Sequence, residues 1–396
     1  MPVVRQLVDA LQEQEDTIVE LQAARIADPV ERLRYLRRKR IESPERRRRL
    51  LRRLRPRAWQ AIAPLAVAAL LLIPGPSASG TKPMLDRPLP LPAATGTAWN
   101  AVAGDVWLVD RNGPLETYSN GLRIENQFVA ANRPRGQFPV FRGSLDRPEI
   151  DFATEPRGIV FHTTESLIPP LEQQRTPEIL RRGRGLLEFV RQEKAYHFVI
   201  DRFARVHRVV PESDVAFHAG ASVWGDPRGV YINLNDSFLG VAVEAATAAV
   251  QGVSGAQVQA LKSLTQFLRA KYRIPAGNCV THAQVSVNPD PGYYKIAYHT
   301  DWAGDFPFRE VDLPDNYALP PASVWAFGFD HDQIFLKVLG GRPWQGLTVA
   351  QEQLKQQAAA LGISHHRYKA LLEQRYRRLT AAYASSAATG EKNHAY

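Results

Sequence analysis

Apolar and polar positions alternate with different periods along the chain, and each period predicts a different element. Val4, Leu7, Leu11, Gln14, Ile18 and Leu21 recur at three- and four-residue steps, the seam of a short heptad helix with one polar interruption. Such a seam serves either a homodimer or a lone amphipathic helix lying on another surface, because three heptads are near the lower limit for a stable coiled coil. Residues 58–74, AWQAIAPLAVAALLLIP, carry no charge and predict an apolar helix. From Val106 to Phe141 the strand-like runs VWLV, LETYS and LRIENQFVA are separated by Asn112-Gly113 and Asn120-Gly121, dipeptides suited to tight turns. A small hairpin layer packed on the main domain is expected there. Between Gly158 and Pro307 the runs GIVFHT, YHFVIDRFARVHRVV and FLGVAVEAA alternate with helical stretches such as Gln257 to Tyr272. This predicts an α/β domain with a central mixed β-sheet flanked by helices. After Trp325 the pattern is helical: Thr348 and Gln351 form a capping box, Gly362 stops one helix and Ser364 starts the next. QAAALGISHHRYKALLEQRY superficially resembles a helix-turn-helix, but short helical hairpins share that Ala/Gly pattern, and a helical C-terminal appendage is the better reading.

Charge changes the picture because of where it lies. The 396 residues are 44% hydrophobic and 23% charged, which is enough for a packed core and too long for one ordinary domain. Of the formal charge of +10, residues 31–57 supply +11, from thirteen Arg and one Lys against three Glu. The rest of the chain is therefore near neutral, which excludes a basic nucleic-acid binder; no nucleic-acid partner is expected. The cationic block runs straight into the uncharged residues 58–74, and only Lys82 and Arg87 follow soon after. The positive-inside rule turns that asymmetry into an uncleaved, single-pass signal anchor with residues 1–57 cytoplasmic and the remainder exported. A buried soluble helix is the competing reading, since a span needs roughly twenty residues and Pro64 weakens this one. The basic tail is expected to meet anionic headgroups, and the Pro-rich residues 75–100 read as an extended tether. A single cysteine, Cys279, excludes an intramolecular disulfide framework.

The chemistry lies in the central domain. GIVFHTTES (158–166), AYHFVIDRFARVHRVV (195–210), AFHAG (216–220), FLGVAVEAA (238–246), VTHAQVSVNPD (280–290) and HTDWAGDFPF (299–308) stand in the order and spacing of one family. Over roughly residues 155–310 the chain resembles the type-2 N-acetylmuramoyl-L-alanine amidases, the zinc peptidoglycan amidases whose relatives include the peptidoglycan recognition proteins. The resemblance implies an amidase-like fold and a zinc ion held by His162, His282 and Asp301. Two imidazoles and one carboxylate leave the fourth tetrahedral position to water, as in catalytic rather than structural zinc sites. It also implies Glu244 as general base and proton shuttle, with Tyr196 as hydrogen-bond donor to the transition state or alternative shuttle. His299 stands where the family carries a lysine, so a cationic helper there would depend on pH near neutrality. His218 matches a position near the substrate groove, with a binding, outer-shell or purely structural role open.

Other residues compete with this assignment or stay outside it. Cys279 lies three residues before His282, and its thiolate would be a good zinc ligand. Asp301 is preferred because it occupies the family's position and because DWAGDFPF would otherwise have no role. His197 alternates with Tyr196 and is expected to face the opposite way, into the core. His207, His331, His365 and His366 fit no pattern. The segment SVNPDPGYYKIAY between His282 and Asp301 is expected at the rim of the metal site. The function implied is hydrolysis of the amide between the lactyl group of N-acetylmuramic acid and the L-alanine of peptidoglycan, by an enzyme held at a bacterial inner membrane with its catalytic domain in the periplasm or outer wall space. The alternative is a catalytically inactive peptidoglycan-binding recognition module.

Overall fold

The computed structural model describes residues 103–166, 168–247, 252–287, 299–329 and 343–392. The heptad seam, the Arg-rich block, residues 58–74, the tether, residues 288–298 and His331 lie outside the described residues. Among the described residues no helix is long and apolar enough to cross a membrane.

The elements run in chain order as follows. Five strands come first: β1 (Leu108–Asn112), β2 (Leu115–Tyr118), β3 (Arg123–Glu125), β4 (Phe138–Arg142) and β5 (Glu149–Ala153). Then come β6 (Gly158–Thr163), helix α1 (Thr176–Glu193), β7 (Phe198–Ile200), β8 (Val206–Arg208), β9 (Val223–Asp226) and β10 (Gly229–Ile232). They are followed by α2 (Leu234–Ser237), β11 (Phe238–Val243), α3 (Gly255–Tyr272), β12 (Cys279–Thr281), α4 (His282–Val285) and α5 (Ala322–Trp325). Two C-terminal helices, α6 (Gln345–Ala360) and α7 (His365–Lys392), complete the series.

The strands form two sheets. The larger has the order β1-β2-β3-β8-β7-β11-β6-β12 and the smaller β5-β4-β10-β9. β7, β11, β6 and β12 are parallel to one another, while β8 returns antiparallel to β7, so the large sheet is mixed as expected. β11 is apolar on both faces, β6 is apolar up to His162 and Thr163, and both are buried at every position, which is how a parallel strand covered on both sides should read. One face, carrying Ile159, Phe161, Leu239, Val241 and Cys279, shares a core with Leu261, Leu264 and Leu268 of α3. The other face is covered twice. Val160, Phe238 and Val280 meet Phe138, Trp224 and Tyr231 of the small sheet, and Val199 and Ala242 meet Leu187 and Val190 of α1.

Three expectations need adjusting. The hairpin of β1 and β2 does turn at Gly113, which takes φ +56°. It is not a separate layer, however: Ile124 of β3 pairs in parallel with Val206 of β8, which adds the first three strands to the edge of the main sheet. The capping box at Thr348 and Gln351 does not form, because α6 already starts at Gln345. Gly346 lies against the Leu319 carbonyl, where an added Cβ would be 2.0 Å from the oxygen. Gly362 (φ +64°) and Ser364, which accepts from the Arg367 N–H at 3.3 Å, do divide α6 from α7. The helical appendage also shares the main core: Leu347, Leu354, Leu372 and Tyr376 join it, and the buried Arg375 makes a forked pair with Asp146 at 3.0 and 2.9 Å.

Candidate metal centre

His162 sits one residue before the C-terminal end of β6, on the face covered by α1 and the small sheet, and is fully buried. The neighbouring strand β12 brings up the second imidazole. Thr281 and Gln284 form a reciprocal capping box that ends the strand and turns the chain into α4, whose first residue is His282. Asp301 comes from a loop fastened at several points. Its carbonyl accepts from the Ala283 N–H at 3.3 Å, and Tyr317 Oη donates to the Trp302 carbonyl at 2.6 Å and accepts from the Phe306 N–H at 3.2 Å. Phe306 stacks on Phe161 of β6 with centroids 4.3 Å apart. The motif DWAGDFPF therefore has a structural purpose as well as a chemical one.

These three side chains converge. His162 Nδ1 lies 3.1 Å from His282 Nδ1 and 3.0 Å from Asp301 Oδ2, and His282 Nδ1 lies 3.1 Å from the same oxygen. All three residues are buried, and they form the one His/Cys/Asp/Glu group among the described residues whose ligand atoms are close enough to hold a metal ion. Burial, with the nearby His282, pushes the His162 pKa down to about 4. Asp301 is desolvated, which opposes its charge, yet His282 and His162 outweigh this and hold the carboxyl far below its usual range. The result is two imidazoles and one carboxylate whose ligand atoms face a common point. That donor set fits a divalent cation: tetrahedral bonds of about 2.0–2.1 Å separate ligand atoms by about 3.3 Å, close to the spacing seen.

Tyr196 packs beside the cluster, its ring centroid 5.0 Å from that of His162. Burial and the charges of Asp301 and Glu165 raise its pKa well above the usual phenol value, so it is a hydrogen-bond donor at neutral pH. Glu244 immediately follows β11, and the charges acting on its carboxyl are those of Asp201, Arg202 and His207. Burial raises its pKa, and the Arg202 N–H donates to its Oε2 at 3.0 Å. Gly183 of α1 lies beside it, where an added Cβ would stand in ordinary contact, 3.5 Å from the carboxylate. Sequence reasoning passed over Glu165. Its φ of +49° turns the chain after β6, and its carboxylate accepts from Thr163 Oγ1 and from the Thr247 N–H (2.9 Å) and Oγ1 (2.6 Å). It thereby ties the segments leaving β6 and β11. The polar run after the apolar strand was the available signal.

One assigned role changes with the geometry, and one left open is narrowed. His299 stacks on His282 with centroids 3.9 Å apart, and the charge of His282 together with burial pushes its pKa down to about 3. It is a neutral imidazole near pH 7 and does not replace a lysine as a cation. His218 is only 6% exposed and lies within 3.1 Å of His162 Nε2, which is the outer-shell placement among the roles left open for it. Cys279 points to the opposite face, into the α3 core, where burial raises its thiol pKa to about 12, so it is not placed to bind the same ion. His197 is buried as expected, but on the same face as the cluster, 5.8 Å from His218 between ring centroids. His207 is buried within 3.4 Å of Asp201, in a separate polar group.

Comparison with known proteins agrees with the resemblance. Residues 152–293 match the family model described as N-acetylmuramoyl-L-alanine amidase. That range contains His162, Tyr196, His218, Glu244 and His282, whereas His299 and Asp301 follow it. Over 97 residues the chain is 35% identical to N-acetylmuramoyl-L-alanine amidase AmiD of Escherichia coli K12, covering 22% of this chain and 34% of that protein. It thus spans about a third of that relative's length. Among solved structures, the E. coli AmiD complex with anhydro-N-acetylmuramic acid-L-Ala-D-gamma-Glu-L-Lys is 21% identical, covering 51% of this chain and 65% of that one, with a TM-score of 0.30. AmpDh3 of Pseudomonas aeruginosa is 21% identical, covering 40% and 58%, with a TM-score of 0.28. Residues 152–293 of this chain are accordingly similar to the N-acetylmuramoyl-L-alanine amidase family.

Proposed function

We propose that the protein is a zinc-dependent amidase that hydrolyses the bond between the lactyl group of N-acetylmuramic acid and the L-alanine of the peptidoglycan stem. The observation that carries this reading is the buried convergence of His162, His282 and Asp301 inside and just beyond the family-matched segment. A binding-only module has no need of a complete two-imidazole, one-carboxylate set, which favours hydrolysis over recognition alone. Zinc held there supplies Lewis acidity and brings the pKa of a water toward about 7.

The chain's own groups supply the rest. Glu244 is a buried carboxyl just beyond β11 whose raised pKa suits it to take a proton and return it to the departing amine. Tyr196 keeps its phenolic proton and offers a hydrogen bond to negative charge developing on the substrate oxygen. His299, neutral, serves as a further donor without charge. The uncharged residues 58–74 behind a cationic block support an anchor that would hold the enzyme on the wall side of a bacterial inner membrane.

The test is incubation of the purified full chain with peptidoglycan, with and without a chelator, followed by measurement of new L-alanine amino termini. Chelator-sensitive release is expected; release that survives full zinc removal, or none in the zinc-loaded protein, refutes the assignment. Glu244→Gln should keep zinc and lose turnover by at least about a hundredfold. Full activity in that variant would move the shuttle role to Tyr196.

A further inference from the structure

The histidine of the AFHAG segment is built into the structure more tightly than a groove residue needs to be. His218 Nε2 lies 3.3 Å from the Phe238 carbonyl, which can only accept, so that nitrogen carries the proton. A neutral imidazole has one N–H, which leaves His218 Nδ1 as an acceptor facing His162 Nε2 at 3.1 Å. His162 therefore donates from Nε2, and its remaining lone pair, on Nδ1, is the one that faces His282 and Asp301. A backbone carbonyl at one end of this chain of hydrogen bonds decides which nitrogen of His162 is free at the other.

The position of the His218 ring is fixed independently. The N–H groups of His218 and Ala219 both donate to Asn235 Oδ1, at 2.9 and 2.7 Å, which pins the loop. Gly240, in the middle of β11, leaves the space the ring needs: a Cβ there would lie 2.5 Å from His218 Cγ. Neither feature is required for strand pairing, and a strand-centre glycine is otherwise unfavourable.

We propose that His218 is a positioning residue of the metal centre, which holds His162 in the Nε2–H tautomer and so presents Nδ1 to the ion. The proposal rests on the metal-site reading above and names the group that orients one of its ligands. Partners of this kind commonly contribute ten- to a hundredfold in metal affinity. It requires only an acceptor at the position of Nδ1, not an imidazole.

The test compares His218→Phe and His218→Asn with the wild-type full chain. Phe fills the space without an acceptor, whereas Asn places an amide oxygen where Nδ1 was. Zinc affinity is read by competition with a chromophoric chelator, and the His162 tautomer in metal-free protein by nitrogen-15 NMR. His218→Phe should weaken zinc by about ten- to a hundredfold and yield a mixed His162 tautomer, while His218→Asn stays within about threefold of wild type. If Phe binds zinc like wild type with His162 still protonated on Nε2, or if Asn fails as badly as Phe while equally folded by circular dichroism, the proposal is overturned. Wild-type protein that binds no zinc yet shows the Nε2–H tautomer overturns the metal reading and supports the hydrogen-bond chain.

Discussion

Substituting Gly240 by alanine puts a methyl group where the His218 ring lies. The built Cβ would be 2.5 Å from His218 Cγ and 2.8 Å from its Cβ and Cδ2, all inside the distance that real Cβ contacts adopt. Both residues are in the interior, so the ring has little room to retreat. Overpacking of this kind costs about 1–3 kcal/mol. Against it stands a gain of about 0.5–1 kcal/mol from replacing a strand glycine, whose unfolded chain is unusually free. The net expectation for Gly240→Ala is a loss of up to about 2 kcal/mol. In a His218→Gly background the three contacted atoms are gone, and the same change should be neutral or stabilising by up to about 1 kcal/mol. The difference, a coupling of about 1–3 kcal/mol, is measured by a double-mutant cycle of urea unfolding on metal-free protein. Equal costs in both backgrounds would show that Gly240 is not there for His218, and the steric account would be wrong.

Other outcomes follow from the same structure. His197 is held neutral well below its ordinary pKa by burial and by the neighbouring Arg135, while its Nδ1 accepts from the Gly240 N–H at 2.9 Å. The unfolded chain takes up that proton first, so the folded state should lose about 1.4 kcal/mol per pH unit as pH falls below about 6.5, and His197→Asn should flatten this dependence; unchanged slopes in urea titrations at pH 7.5 and 5.5 would contradict it. Cys279→Ser places a hydroxyl in the α3 core and should cost about 1–3 kcal/mol while leaving zinc affinity at the wild-type value, whereas a tenfold loss of zinc would restore the thiol as a ligand. Arg375→Ala leaves Asp146 with Arg378 alone, at 2.8 Å, and frees the Ala326 carbonyl that Arg375 also serves, at 3.1 Å. A destabilisation of about 1.5–3 kcal/mol is expected by denaturant melts, and less than about 0.5 kcal/mol would mean that α7 is not held by this pair.

Read from the chain alone, the order of strands and helices, the parallel strands GIVFHT and FLGVAVEAA, and the identities of His162, His282 and Asp301 were all accessible, because each depends on local periodicity or on a recognisable motif. The addition of β1, β2 and β3 to the sheet edge was not accessible, since the pairing of Ile124 with Val206 joins residues far apart in the chain and leaves no local trace. The metal triangle was accessible only as residue types: the eighteen residues between His282 and Asp301 say nothing about distance until Tyr317 and Phe161 hold the loop against β6. The roles of His218, His299 and Glu165 were decided by folding outright. Their chemistry is set by which groups desolvate, stack on or hydrogen-bond to them, and those neighbours come together only in three dimensions.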